Sequence, residues 1–441
     1  MLDSWRPLRL VLDDATLTAE EIAVFGTFSE DDELELWHTR ADLGAHLEIG
    51  DEFETPFPMG GARSVHAVSP ESGTLFGIYG VERLRQRSGE IAAVTAEAED
   101  DVFAALAFAA ASDEMDADGF VTRRAYVLER NHHNDPVAFV PEDAFGLIGL
   151  IRRARGNSSL GRDMMDLRLG GSTYHFVLER ELLRDAWPWF SAIVSSGTQN
   201  NDRSLVYLGQ TARERFTRVL QIRDRLHFAA KGEPTRARGD EVVFQLETLL
   251  MFLSAAFDAA ARVAHVVYFG SDYSAAGWRR ERWRERLRQL EPALAALADD
   301  GTHGGAILQM VGALRNTIHG EGLRSGEFRE SGQRPAQLVR VTEKEGERLT
   351  RLLEHIGGDP AVWSVEERRD EVWLAADRFV EALVPQATAL LNQLMAKTDA
   401  RRLPGAAGAA VARLVDDPSP EWWRDMLSFE IRQRVRLLSG M

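Results

Sequence analysis

One run of sequence limits the fold more than any other. From Val242 to Phe269 the chain is apolar nearly all round at helical spacing, and Glu247, Asp258, Arg262 and His265 are its charged residues and its only histidine. A helix apolar on every side has to be enclosed by neighbouring elements. Four ionisable groups within it argue against lipid as the enclosure. The expectation is therefore a buried helix, Asp240–Phe269, at the centre of a helical bundle, with Leu249, Phe252, Leu253 and Phe257 covered and no membrane span.

From Asp240 the helical pattern continues almost to residue 400, predicting helices over Asp240–Phe269, Ala275–Leu297, Gly305–His319, Thr342–Ile356 and Arg369–Thr398. The first part of the chain reads differently. Leu8–Leu12, Leu34–Trp37, Ser64–Val68, Thr74–Tyr79 and Ile91–Val94 are short apolar runs set between turn residues, which predicts strands. Pro141 should open a helix through Arg155, Leu167–Leu178 should form a hairpin about Gly170-Gly171, and Gln210–Ala229 returns to helical periodicity. The predicted class is α+β: a mainly β or α+β domain over 1–125, a mixed middle region over 126–235, an all-α bundle over 236–400, and a tail over 401–441 with a short helix from Trp422 to Leu438.

Charge is unevenly distributed along the 441 residues. Residues 1–120 carry 26 Asp and Glu against 7 Arg, a net of −19, whereas residues 121–441 carry 43 against 45, a net of +2. The acidic part would repel nucleic acid and suits a basic protein partner or solubility, while the remainder can approach RNA locally. The absence of cysteine excludes disulfides, thiolate metal sites and a cysteine nucleophile, and is compatible with a reducing cytoplasm. Met1–Arg6 lacks the basic and apolar segments of a signal peptide, so the expected location is cytoplasmic.

Within the bundle, Glu247, Ser254, Asp258, Arg262 and His265 fall at steps of seven, four, four and three, making one narrow polar stripe on an otherwise apolar helix. Such a stripe needs partners, because burying lone ionisable groups is costly. An internal pair, Asp258 with Arg262 four residues on, is one solution. The other is a neighbour bearing functional groups. Leu314-Arg315-Asn316-Thr317-Ile318-His319-Gly320 supplies a candidate, since positions four apart share a helical face and so Arg315 and His319 project together with Asn316 beside them. A guanidinium offers a fork for phosphate oxygens, and an imidazole titrating near neutrality can accept or donate a proton. That pair suits metal-independent RNA cleavage by attack of the ribose 2′-hydroxyl on the adjacent phosphorus. The bland alternative is that His319 and Gly320 simply end a helix. The same spacing recurs at Arg223–His227 and Arg351–His355, so the asparagine and the apolar run Ala306–Leu314 are what single out Arg315.

The segment resembles the signature of the HEPN superfamily, in which an Arg, a following polar residue and a His close a helix of an all-helical domain. The spacing here is shorter than the nuclease signature usually has. The resemblance spans roughly residues 240–400. It implies Arg315, Asn316 and His319 as catalytic residues, no cofactor, RNA as ligand, a homodimer with two Arg–His pairs facing each other, and an endoribonuclease effector of a toxin or phage-defence system. It implies equally a non-catalytic module for dimerisation or ligand binding, which other members of the superfamily represent. In either case the stripe of Glu247, Asp258, Arg262 and His265 would face and support Arg315.

Outside the motif, Trp278, Arg279, Arg280, Arg282 and Arg284 interleave an aromatic ring with guanidiniums, the combination that grips phosphates and stacks bases. Against this, Trp283, Leu287 and Leu290 lie at helical spacing and should face a core. Asn131–Asp135, with two adjacent histidines, and Glu114–Gly119, which imitates the start of a calcium loop, are too incomplete to predict a metal.

Overall fold

The computed structural model describes the chain apart from residues 1–6, 29–33, 40–46, 54–61, 70–72, 80, 115–116, 129–137, 159, 161–170, 231–234, 319, 321, 329–335, 369–370 and 407–428. It divides into two compact units, Met1–Leu169 with Leu437–Met441, and Gly170–Arg436. The boundary falls inside the 126–235 region.

The first unit runs β1 (Leu8–Leu12), α1 (Ala19–Gly26), β2 (Leu34–His38), β3 (Leu47–Phe53), β4 (Ala62–Ser69), β5 (Gly73–Tyr79), α2 (Val81–Thr95), α3 (Glu99–Glu114), β6 (Gly119–Val121), α4 (Ala125–Leu128), β7 (Ala138–Phe139) and α5 (Pro141–Ala154). Strands β2, β1, β6 and β7, in that order, form an all-parallel sheet, while β3, β4 and β5 form an antiparallel one. Parallel strands are covered on both faces, which accounts for the unbroken apolar run Leu10-Val11-Leu12, buried with Phe120 and Val121. The strands expected near residues 8, 34, 64 and 74 are present. Ile91–Val94 is not a strand but the last turns of α2, where Ile91 and Ser88 are buried three residues apart. A four-residue apolar run is too short for its period to be read.

The second unit continues with α6 (Gly171–Leu182), α7 (Trp187–Gln199), α8 (Arg203–Ala230), α9 (Arg236–Phe269), α10 (Glu281–Leu290), α11 (Pro292–Ala296), α12 (His303–Thr317), β8 (Arg324–Phe328), β9 (Ala336–Val341), α13 (Glu343–His355), β10 (Val365–Arg368), β11 (Glu371–Leu374), α14 (Ala376–Lys397) and most of α15 (Phe429–Ser439), whose residues from Leu437 belong to the first unit. Helix α9 packs along α8 and also meets α12 and α14. Leu246, Leu249, Leu250 and Leu253 on it are sealed from solvent, Phe257 nearly so, and Phe252 is partly covered. By length and composition α9 could cross a membrane, but more than half of its apolar window is buried within the fold, as a core helix requires.

Four expectations fail in this unit. Gly171 onward is helix, not hairpin: Tyr174, Val177 and Leu178 are buried at steps of three and one, a helical interval that the glycine pair before them obscures. The stretch over 236–400 is not all-α, because β10, β11, β9 and β8 make an antiparallel sheet. These strands are four to six residues long and rich in charge, so they carry little alternation. The predicted Ala275–Leu297 helix shrinks to α10 and α11, broken before Pro292, and the predicted Arg369–Thr398 helix is strand over Glu371–Leu374 and turns helical only at Ala376.

Candidate functional site

Helix α12 starts from a Thr302 cap, whose hydroxyl accepts from the Gly305 amide at 3.1 Å, and presses its first turn against the preceding loop. A Cβ at Gly305 would sit 1.9 Å from the Asp299 carbonyl, so only glycine allows that approach. Through Ala306, Ile307, Met310, Val311, Ala313 and Leu314 the helix is buried, and its apolar face fixes which residues of the last turn look outward. Arg315 is half-buried there and Asn316 is exposed; His319 lies outside the described residues.

Arg315 opens into a cavity of about 420 Å³ whose walls include Asp258 and Arg262 from α9 and Tyr273, Arg279 and Arg280 from the α9–α10 connection. Of the stripe, Asp258 and Arg262 line the same space as Arg315. Four guanidiniums and one carboxylate line this space. Among the described residues no ion pair joins Arg262, Arg279 or Arg315 to a carboxylate, including the anticipated Asp258–Arg262 pair. Arg280 is anchored to the Ser274 carbonyl at 2.7 Å, and the Arg262 guanidinium lies 5.8 Å from the Tyr273 ring centre.

Arg279 reaches the pocket across α12. Its guanidinium occupies the space a side chain at Gly312 would fill, a Cβ there falling 1.7 Å from Nη1. Partial burial pushes Arg279 below its ordinary pKa; Asp258 opposes this, and the like charges of Arg315 and Arg348 add to it. Arg215 of α8, donating to the Ala255 carbonyl at 2.9 Å, is likewise lowered by burial and by Arg262, against Asp258. Positive charge is therefore crowded here beyond what the protein's own acid compensates. A bound anion would relieve it.

The remaining candidates separate. Glu247 accepts from the Leu323 amide at 3.4 Å, just past the α12 exit. His265 is turned away from the cavity into an aromatic cluster: its Nδ1 accepts from Trp283 Nε1 at 2.9 Å, and burial lowers its pKa, as befits a core residue. Trp278 is 2% exposed, donates from Nε1 to the Phe257 carbonyl at 3.0 Å and packs edge-on against Trp283, so it is not presented to stack a base. Arg284 is also buried, held by the Trp278 carbonyl at 2.9 Å and Asp300 at 3.0 Å, and cannot grip a phosphate. Arg282 is exposed outside the cavity lining. Of the interleaved segment, Arg279 and Arg280 alone enter the site. Trp283 and Leu287 do face the core, but Leu290 is exposed.

Two clusters escaped sequence reasoning. The Arg223–His227 spacing is no idle repeat: Arg223 grips Glu381 of α14 with two bonds of 2.7 Å, and His227 Nε2 meets the same carboxylate. Burial alone would raise the Glu381 carboxyl, but the Arg223 charge and the bonds from His227 and Arg223 outweigh it and hold it at about 2. Glu381→Gln should cost roughly 2 kcal/mol at neutral pH, less than for a fully enclosed pair because the carboxylate is 37% exposed. A carboxyl depressed by folding contributes above its ordinary value of 4.5 and loses that contribution as pH falls towards about 2. Urea unfolding of wild type and variant should thus differ at pH 7 and converge across that window; a constant difference would refute the pairing.

The second cluster sits where β1, β2 and β6 end. Asp13 Oδ2 accepts from Thr122 at 2.7 Å, Arg124 Nε at 3.0 Å and Thr16 at 3.1 Å, while the fully covered Asp14 carboxylate meets His38 Nδ1 at 3.0 Å. Burial pushes the nearby Tyr126 hydroxyl up to about 12 despite Arg124. Two acids directly after the apolar strand Leu8–Leu12 were the available signal. Asn131–Asp135 lies outside the described residues, as do Met115 and Asp116, and among those described no group of three or more metal-ligating side chains occurs.

No family model, curated protein or solved structure matches this chain.

Proposed function

We propose that the protein is an RNA-binding and RNA-cleaving effector whose C-terminal unit works in the manner of a HEPN domain, with Arg315, Asn316 and His319 as its reactive group. The observation that carries this reading is the cavity in which Arg315 meets Asp258, Arg262, Arg279 and Arg280. An RNA phosphate entering it would be held by guanidiniums. His319 would then take the proton of the 2′-hydroxyl as that oxygen bonds to phosphorus. The bond from phosphorus to the 5′-oxygen breaks, and the departing oxygen takes a proton from a second imidazole, leaving a 2′,3′-cyclic phosphate. Neither step calls on a metal. Purified protein incubated with single-stranded RNA in EDTA should give such ends. If wild type cleaves under no condition, the non-catalytic binding module is the correct reading.

The second imidazole belongs to another copy of the chain. Along α9, Phe244 is 59% and Met251 49% exposed, and Asp258 follows at the same seven-residue step, so an uncovered apolar line runs directly into the cavity wall. Solvent-facing aromatic and methionine side chains in line are a suitable seam for a two-fold dimer. Light scattering at tens of micromolar should give twice the monomer mass, and Met251→Glu should return the monomer mass. A wild type that stays monomeric refutes the composite site.

A further inference from the structure

Resting on the reading of the cavity as an RNA site, we propose that it takes the phosphorylated end of an RNA strand, so that the linkage presented to Arg315 is the one adjoining that end, with Arg279 as the specificity-determining residue. The charge balance is the first ground. The lining has four arginines and one aspartate, an excess of three positive charges. An interior phosphodiester carries one negative charge, whereas a terminal phosphate carries about −1.5 to −2 at neutral pH and an oligophosphate more. The end of a strand brings more charge to one phosphorus than an interior linkage does, and so comes nearer to matching the lining.

Shape is the second ground. A cavity of about 420 Å³ is in the range that encloses one small ligand, roughly 300–1,000 Å³. Tyr273 on the same wall is more than a third exposed and offers a face on which a terminal base can stack. The third ground is the seat of Arg279. The glycine at 312 leaves its guanidinium lying on α12 one turn before Arg315, so two forks that approach from different elements converge on one space. Convergent forks suit the several free oxygens of a terminal phosphate better than the two of a diester.

The test uses one oligoribonucleotide sequence, 2′-O-methylated so that no 2′-hydroxyl is free to attack, in four forms: unphosphorylated, 5′-phosphate, 5′-triphosphate and 3′-phosphate. Affinity for the full-length protein is measured by fluorescence anisotropy. At least one phosphorylated form should bind about tenfold tighter than the unphosphorylated one, the fold-change expected of one hydrogen bond between charged groups. Which form gains identifies the end that is read. Arg279→Ala should abolish that gain, bringing the affinities of the four forms to within about twofold of one another, while Gly312→Ala, which unseats the guanidinium without deleting it, should reduce the gain part-way. Asp258→Asn should increase affinity for the favoured form. Equal binding of all four forms, or a preference that survives Arg279→Ala, overturns the proposal. Cleavage of unmodified RNA without end preference would sink this inference alone; end preference without cleavage would sink the nuclease reading alone.

Discussion

His319→Ala is expected to abolish RNA cleavage while leaving the protein folded. A single substitution typically costs about 0.5–3 kcal/mol of stability, whereas proton transfer by a positioned imidazole typically supplies 10²–10⁴-fold in rate. Arg315→Ala should lose both affinity and rate, because Arg315 is part of the cavity wall that would hold the phosphate. The control is His355→Ala, which has the same spacing from an arginine but lies exposed on α13. His227→Ala should also spare cleavage per folded molecule, yet lower stability, since His227 is bound to Glu381. Products are scored for 2′,3′-cyclic phosphate ends with EDTA present. Cleavage that persists in His319→Ala, or that EDTA removes, would overturn the mechanism.

How far the sequence foretold this arrangement depends on how each residue earns its place. Helix α9 was legible because a long, mostly apolar surface interrupted by charged groups has to be largely covered by the fold, and Asp258 and Arg262 were legible as its interruptions. Their meeting with Arg315 followed from α12 lying against α9. The rest depended on tertiary choice. Trp278 and Arg279 are neighbours of opposite fate, one in the core and one on the cavity wall, because the α9–α10 connection is irregular and has no period to read. Arg223 and His227 form a site only because Glu381, far along the chain, arrives beside them. The sheet of β8 to β11 was missed because each strand is too short and too charged to announce itself. Gly312 shows the limit most plainly. In sequence it is a mild defect in a helix, and in the fold it is the seat of an arginine.

Arg432→Met is expected to destabilise the protein by about 3–5 kcal/mol, the cost of leaving one member of a buried ion pair alone. Arg432 of α15 has no solvent-exposed side-chain surface, and its Nη1 meets the Glu181 carboxylate of α6, itself 3% exposed, at 2.6 Å. Gln433 donates to the other carboxylate oxygen at 3.3 Å, and the Tyr174 hydroxyl donates to the Val435 carbonyl at 2.8 Å, so polar bonds hold this turn of α15 against α6. Ile431, Val435 and Leu438, at steps of four and three, supply the apolar face that the sequence did announce. The arginine between them was invisible as a core residue because charged side chains are so seldom enclosed. Its loss strands Glu181 as a buried charge, and the distinguishing measurement is a double-mutant cycle. Arg432→Met with Glu181→Leu removes both charges and should recover most of the lost stability, because an apolar pair of similar volume replaces a buried ion pair at little or no cost. Urea unfolding of the two single variants and the double one decides it. A single Arg432→Met variant within about 1 kcal/mol of wild type, or a double variant no more stable than the singles, would show that the pair does not hold the helix in place.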